Sequence, residues 1–238
     1  MAKWTTTRNA TGLLLLGLAT TGLAVAKDPP KAGQPEFWMP SDQDLLADLP
    51  EGAHLETRRN GDINGDGIPD VAFVGRNDAA RWLVVKIGYK DELDWGFEPV
   101  SVNKNLDPYP LGTANLSVKK NVLLVEDLTG GTTATMAIYR YRWDAKLKRM
   151  RLIGLDATTY SRTNSHDSIQ TSWNLLTGTH QVVRGILNRE PKSDEDVAYR
   201  MTKPDRTLRK SQPVYMEDTP EPGALVESEV VPAGEDRD

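Results

Sequence analysis

A regular alternation of apolar and charged side chains over residues 133–155 constrains the fold of this chain more than any other feature. Within TATMAIYRYRWDAKLKRMRLIGL, one face of an extended segment carries Ala137, Tyr139, Tyr141 and Trp143, and the other carries Arg140 and Arg142. After the DAKLK turn, Arg149, Arg151 and Ile153 alternate with Met150, Leu152 and Gly154. A period of two residues is that of a β-strand, so this stretch predicts an antiparallel hairpin with one buried face.

Other short apolar segments, separated by polar turns, continue this pattern along the chain. They are VAFVGR (71–76), WLVVKIGY (82–89), FEPVSVN (97–103), the hairpin 115–128 and the hairpin 168–186. In the last hairpin, Gly178 suits a turn that requires a positive φ. Seven or eight such strands predict an all-β fold, an antiparallel meander that forms a sandwich, a barrel or a partial-propeller-like sheet.

One short N-terminal helix is predicted ahead of the strands, in SDQDLLADLP (41–50). Ser41 is suited to cap the free amides of the first turn, and Asp42 and Asp44 suit the positive end of the helix dipole. Pro50 limits this helix to two or three turns, because the residue before a proline disfavours the helical conformation.

The first 26 residues have the three-part pattern of a secretory signal peptide. Lys3 and Arg8 form a basic region, TGLLLLGLATTGLAVA (11–26) is mostly apolar, and it ends in small residues at Ala24 and Ala26. An uncleaved membrane anchor is the weaker alternative, because a spanning helix needs about 20 apolar residues. Cleavage after Ala26 predicts a periplasmic or secreted protein with no membrane span after cleavage.

Composition divides the remaining chain into a linker (27–40), a β-domain (41–189) and a charged tail (190–238). The tail is rich in charged residues and proline and poor in apolar ones, which predicts that it is largely disordered. Loss of Lys3 and Arg8 changes the formal net charge from −5 to −7, and an acidic chain is not expected to bind nucleic acid. Because the chain has no cysteine, its stability must come from a buried core or a bound metal.

The densest chemistry lies in GDINGDGIPD (61–70), where oxygen-bearing side chains occupy every second position. Positions 1, 3, 5 and 9 of the loop are Asp62, Asn64, Asp66 and Asp70, and position 7 offers the main-chain carbonyl of Ile68. Gly67 occupies position 6, where the loop must turn sharply. Ca²⁺ takes six to eight oxygen ligands, so this spacing predicts a calcium site. The alternative is a polar turn that happens to be acidic before a strand.

This D-x-N-x-D-G-x-x-D loop resembles the calcium loop of FG-GAP/VCBS-type repeats, in which the loop also enters a β-strand. The resemblance covers only about residues 60–75 and implies a calcium ion without any enzymatic activity. An EF-hand is not indicated, because its twelfth position requires an acidic residue and Phe73 stands there. The loop occurs once, so a complete propeller is not expected. The stretches 132–163 and 171–182 also look like bacterial periplasmic proteins that pair one such loop with a β-meander.

No catalytic motif emerges from the sequence. His54, His166 and His180 lack the spacing of a zinc site, and His166, Asp167 and Ser168 are neighbours on one loop, which rarely gives triad geometry. The arginines of strands 133–155 are candidates for binding an anion or an acidic glycan, with a solvated sheet face as the alternative. The aromatic face opposite them is expected to pack in the core.

These features together predict an exported, non-catalytic, calcium-binding β-domain that serves as a binding or structural module of the cell envelope. Its partner would be a protein or a glycan of the envelope. Two alternatives stay open: a hydrolase of envelope glycans with unrecognised carboxylates, which needs two carboxylates about 5–10 Å apart across a cleft, and a scaffold within an assembly.

Overall fold

The chain folds into two antiparallel β-sheets, in a computed structural model that describes residues 39–92, 94–100, 104–190 and 198–229. Within these ranges it has 14 strands and two short α-helices, and neither sheet closes into a barrel. The predicted all-β antiparallel fold is therefore confirmed, in the form of a sandwich. The predicted signal peptide and nearly all of the linker lie outside the described residues.

The smaller sheet, sheet A, follows a short helix, α1 (Asp42–Leu46). Its strands are β1 (His54–Gly61), β2 (Asp70–Arg76), β3 (Arg81–Lys90), β4 (Trp95–Pro99) and β5 (Lys104–Leu106). The strand order is β1-β2-β3-β4, and β5 also pairs with β3. Strand β4 lies at the edge of the sheet, as the proline in FEPVSVN predicted, although residues 101–103 of that segment are outside the described ranges.

The larger sheet, sheet B, contains the remaining nine strands. They are β6 (Asn115–Lys119), β7 (Val122–Gly130), β8 (Thr133–Asp144), β9 (Arg149–Ser161), β10 (Ser168–Asn174), β11 (Thr179–Leu187), β12 (Tyr199–Met201), β13 (Asp205–Leu208) and β14 (Val214–Tyr215). The order is β12-β11-β10-β9-β8-β7-β6, with β13 paired to β11 and β14 paired to β9. A 3₁₀ helix (Met216–Asp218) and a second helix, α2 (Pro222–Glu227), complete the described chain.

The main hydrophobic core lies between the two sheets. Sheet A contributes alternate residues of β2 and β3, such as Val74 and Val85, and sheet B contributes the aromatic face of β8 with Leu123 and Leu152. The rings of Tyr139 and Tyr141 stack in this core with centroids 6.1 Å apart. The predicted inward face of the central hairpin is thus confirmed.

Helix α1 covers the outer face of sheet A and buries a second, smaller core. Leu45 packs there with Val71, Phe73, Trp82 and Val84. The Ser41 hydroxyl accepts the Asp44 amide at 3.2 Å and the Asp44 carboxylate accepts the Ser41 amide at 2.8 Å, which confirms the predicted cap. Sheet A is therefore buried on both faces, which explains why its central strands are almost continuously apolar.

The hairpin predictions agree closely with the structure. The turn between β6 and β7 falls at Lys120 and Asn121, and Gly178 has a φ of +78° in the turn between β10 and β11. Strands β8 and β9 are joined at the DAKLK turn, as predicted. Their register shifts after Arg140, where Ile153 is the extra residue of a β-bulge. The strict alternation of β9 therefore breaks at Gly154, where the sequence alone indicated no change.

The predicted disorder of the tail is wrong for residues 198–229. These residues form β12, β13, β14, the 3₁₀ helix and α2, and α2 packs on β8, β9 and β10 of sheet B. A short segment needs only a few apolar side chains to become ordered when an already folded sheet offers a surface for them to pack on. In this segment Tyr215, Met216, Leu225 and Val226 are all buried. Residues 191–197 and 230–238 of the predicted tail lie outside the described residues.

A buried ionic triad joins the two sheets. Arg81 of β3 is fully buried and donates to both oxygens of Glu56 of β1, at 2.7 and 2.8 Å. The same guanidinium donates to both oxygens of Asp127 of β7, at 3.0 and 3.2 Å. One arginine thus links carboxylates of both sheets, and a buried charge cluster of this kind is costly to break.

Candidate metal centre

The acidic loop joins β1 to β2 and turns on two glycines. Gly65 and Gly67 have φ values of +88° and +83°, a region that side chains rarely adopt. The carboxylate of Asp62 accepts the Gly65 amide at 2.6 Å through Oδ1 and the Gly67 amide at 3.1 Å through Oδ2. The predicted glycine hinge is present, and Asp62 holds it in shape.

Asn64 and Asp66 stabilise the same loop from its exposed side. Asn64 Oδ1 accepts the Asp66 amide at 2.9 Å, and Asp66 Oδ1 accepts the Ile68 amide at 2.7 Å. The Asn64 side-chain amide also donates to Asp66 Oδ2 at 2.7 Å. These bonds are the local turns that Asn and Asp side chains favour, and they orient the loop oxygens without any ion.

Asp70, the last predicted ligand, is fully buried at the start of β2. Its Oδ2 accepts the amides of Ile63 and Asn64 at 2.6 and 3.1 Å, and its Oδ1 accepts the Gly88 amide at 2.9 Å. Burial raises the pKa of Asp70 to about 6, although these three hydrogen bonds oppose the rise, and repulsion from Asp66 adds to it. Asp70 forms no salt bridge with any described residue, so its charge is met only by amide dipoles.

Contacts with both sheets hold the loop in place. The carbonyl of Pro69 and the side chain of Ile68 lie so close to Gly88 of β3 that a Cβ there would meet them at 2.3 and 2.9 Å. On the other side, the side-chain amide of Asn121, in the turn between β6 and β7, donates to the Asp62 carbonyl at 3.0 Å. The loop therefore contacts sheet A and sheet B at once.

The residues of the loop fit a hard cation in chemistry but form no preassembled cage. Three carboxylates, one amide oxygen and one carbonyl are the donors that Ca²⁺ prefers. Among the described residues, however, no three His, Cys, Asp or Glu side chains are grouped so that they can hold a metal ion. Because both oxygens of Asp62 and of Asp70 already accept loop or strand amides, an ion would use their remaining lone pairs. Calcium at this loop stays a prediction.

The histidines do not assemble into a catalytic group. His166 Nε2 lies 2.8 Å from the Thr133 hydroxyl, and its Nδ1 lies 2.7 Å from the main-chain carbonyl of Asp167. The Asp167 carboxylate instead accepts the Leu187 amide at 2.8 Å. His54 is exposed on β1, and His180 is buried on β11. The structure thus does not bring His166, Asp167 and Ser168 together as a triad.

A small cavity beside the ionic triad is lined by three carboxylates. Asp107, Asp127 and Glu221 border it, together with Tyr139 and two threonines. Its volume is about 70 Å³, far below the roughly 300–1,000 Å³ typical of small-molecule sites. Both oxygens of Asp127 are also engaged by Arg81. This cavity has no room for the sugar ring that the hydrolase alternative requires.

The arginine-rich face of β8 and β9 divides into paired and unpaired side chains. Arg140 forms a salt bridge with Asp156 at 2.8 Å, and Arg149 forms one with Glu217 at 3.0 Å. Within the described ranges, the side chains of Arg142 and Arg151 form neither a hydrogen bond nor a salt bridge. Direct pairing with carboxylates, which the alternative of a solvated face implies, is therefore observed for Arg140 and Arg149, while Arg142 and Arg151 form no such salt bridge among the described residues.

No protein-family model, no curated protein and no solved structure matches the chain. Among the described residues, no helix has the length and apolar character required to cross a bilayer.

Sequence reasoning identified the loop residues but missed Gly88, Asn121 and the triad around Arg81. A glycine inside the apolar run WLVVKIGY was the one local signal, since it marks a close backbone approach.

Proposed function

We propose that this chain is an exported, non-catalytic β-domain of the cell envelope that binds one Ca²⁺ at the loop 62–70 and serves as a binding or structural module. The ligands would be Asp62, Asn64, Asp66, the Ile68 carbonyl and Asp70. The N-terminal signal pattern supports export, and the resemblance to FG-GAP/VCBS-type loops supports calcium.

The observation that carries the proposal is the uncompensated charge of Asp70. Its carboxylate is fully buried, its pKa is raised by burial, and repulsion from Asp66 adds to the rise. No described arginine or lysine pairs with it. A divalent cation on the loop would offset both the burial of Asp70 and its repulsion from Asp66.

The expected role of the ion is structural. Extracellular calcium modules bind with Kd values of ~10⁻⁴–10⁻³ M. At about 1 mM calcium and a Kd of ~10⁻⁴ M, binding adds about 1.4 kcal/mol to the free energy of unfolding. For a chain of this size, that corresponds to a rise in Tm of about 3–5 °C. Because the loop contacts both sheets, an ion would stabilise the sandwich as a whole.

Thermal unfolding with 1 mM calcium and with a chelator tests the proposal. We expect the wild-type Tm to be higher by a few degrees in calcium, and Asp66→Ala to lose this difference. The matched control is Asp78→Ala, which removes an exposed carboxylate from the turn between β2 and β3. It should retain the calcium response. Equal wild-type midpoints in calcium and chelator would refute the calcium site.

A further inference from the structure

We propose that Arg142 and Arg151 form a binding site for an oxyanion on the outer face of sheet B. The ligand class is a phosphate or carboxylate group, either free or carried on a larger molecule. This site lies on strands β8 and β9, goes beyond the calcium proposal and does not depend on it.

The two arginines are direct neighbours across adjacent strands. Arg142 of β8 pairs with Arg151 of β9 in the register of the hairpin, and paired residues of antiparallel strands project to the same face. Their Cα atoms are thus expected about 4.5–5.5 Å apart. The inward neighbours of these residues, Tyr141, Met150 and Leu152, are buried, so both arginines point away from the core.

Arg142 and Arg151 are the directly opposed cations of this cross-strand row. Beyond Arg142 the row continues to the apolar Val122 of β7 and then to Lys119 of β6, each pair in direct register. Like charges directly opposite each other in a sheet are destabilising. The direct pairing of Arg142 with Arg151 is therefore an unfavourable contact, which an anion bound between the two side chains would relieve.

Neither arginine is satisfied within the described part of the chain. Arg142 is exposed and its side chain has no hydrogen-bond or ion-pair partner there, while Arg151 Nε is buried and has no acceptor. A buried donor without a partner is costly, and native proteins rarely leave one. The neighbouring arginines of the same face are paired, which makes the contrast specific to these two residues.

The nearest carboxylate, that of Asp144, attracts Arg151 through space but accepts no hydrogen bond from it. Asp144, two residues beyond Arg142 on β8, uses its Oδ1 to accept the amides of Lys146 and Leu147, and its Oδ2 accepts the hydroxyl of Tyr215 at 3.0 Å. Tyr215 stands opposite Arg151 on β14, and its ring is covered by Arg149 at 4.1 Å. The neighbouring carboxylate is therefore committed to the turn and to Tyr215.

Two adjacent guanidinium groups are suited to an oxyanion. Each presents planar N–H donors that match two oxygens of a phosphate or carboxylate, and the two forks together can surround one such group. A bound oxyanion would supply an acceptor for Arg151 Nε and cancel the repulsion between the two charges. The flat sheet face imposes no enclosed pocket, so the group can belong to an extended polymer as well as to a small molecule.

NMR titration of the ¹⁵N-labelled full chain with inorganic phosphate, in metal-free buffer at constant ionic strength, tests the site. We expect saturable shifts of the Nε–Hε signals of Arg142 and Arg151. Arg142→Gln should raise the dissociation constant about tenfold, because one charged hydrogen-bonding partner is lost. Arg59→Gln is the matched control: it removes an exposed arginine from β1 and should change the constant less than twofold.

Two further measurements sharpen the outcome. Arg151→Lys keeps the charge but removes the planar fork, so weaker binding by this variant supports bidentate recognition. Titrations with glycerol phosphate and with acetate identify which group is preferred, and saturation by either supports the site. Shifts in wild-type protein that do not saturate, or equal weakening by Arg142→Gln and Arg59→Gln, would overturn the proposal; the wild-type titration decides even if a variant does not fold.

Discussion

Two buried carboxylates of sheet A, Glu56 on β1 and Asp70 at the start of β2, are compensated in different ways. The Glu56 carboxylate, in the ionic triad, accepts hydrogen bonds from Nε and one terminal nitrogen of Arg81. It also accepts the amide of Ala114 at 2.8 Å. Asp70, at the acidic loop, accepts hydrogen bonds from three backbone amides and pairs with no cation among the described residues. Burial acts to raise the pKa of both groups, but hydrogen bonds from Arg81 and the Ala114 amide bring the pKa of Glu56 below its usual value. The pKa of Asp70 stays raised, at about 6.

The Glu56 carboxylate therefore has a purely structural role, whereas the charge of Asp70 responds to the composition of the solution. The triad is complete within the chain, because its cation is covalently part of β3. At the loop, amide dipoles orient the Asp70 carboxylate without neutralising it, so its stability contribution depends on protons and on any cation in solution. The triad therefore links the two sheets, and the loop makes stability sensitive to solution conditions.

The largest expected effect comes from removing the cation of the triad. Arg81→Met leaves Glu56 and Asp127 buried without a partner, and breaking a buried ion pair in this way costs about 3–5 kcal/mol. Urea denaturation should show this loss in the free energy of unfolding. Arg59→Met, an exposed arginine on β1, is the control and should stay within about 0.5 kcal/mol of wild type. A loss below about 1 kcal/mol in Arg81→Met would show that the triad does not join the sheets.

The triad also shows where prediction from the sequence stops. The alternation of residues 133–155 and the turn chemistry at Gly178 are local, and they located the hairpins correctly. Contact between Glu56, Arg81 and Asp127 depends on how two sheets pack, and these residues are far apart in the chain. Nothing in their neighbourhoods distinguishes them from surface charges, so no period or motif reveals them.

The residue types of the candidate calcium loop could be predicted from the sequence, but the contacts of those residues in the folded chain could be predicted only in part. Its ligand types and glycine hinge follow from spacing, because each belongs to one short segment. That Asp70 would be buried and would bind the amide of Gly88 could not be inferred, since this contact arises from the pairing of β2 with β3. The prediction of disorder for the C-terminal segment failed for a related reason. Its helix α2 is too short to be recognised from the sequence, and the surface that orders this helix belongs to sheet B.

A smaller effect is expected from disturbing the contact between the loop and β3. Gly88→Ala places a Cβ 2.3 Å from the Pro69 carbonyl, a backbone atom that cannot rotate away. The loop must shift, and overpacking of this kind costs about 1–3 kcal/mol in the free energy of unfolding. Gly112→Ala is the control, because nothing lies within 4 Å of its Cβ position. If both variants unfold at the same urea concentration as wild type, the loop is not held against β3.

The smallest effect is the dependence of stability on pH at Asp70. Its folded pKa of about 6 lies above the ordinary value of 3.8, so between these values the folded chain binds the proton more tightly than the unfolded chain. Stability contributed by Asp70 therefore falls as pH rises through this window, by about 1 kcal/mol between pH 5 and pH 7 in metal-free buffer. The side chain of Asp70→Asn cannot ionise, so this variant should lack the pH-dependent contribution of Asp70, while the contributions of other groups are common to both proteins.

Calcium at pH 7 should recover much of the stability that the wild type loses, because a cation favours the ionised carboxylate. Parallel pH profiles for wild type and Asp70→Asn would mean that the loop charge is already compensated, and that the contrast with the triad is false.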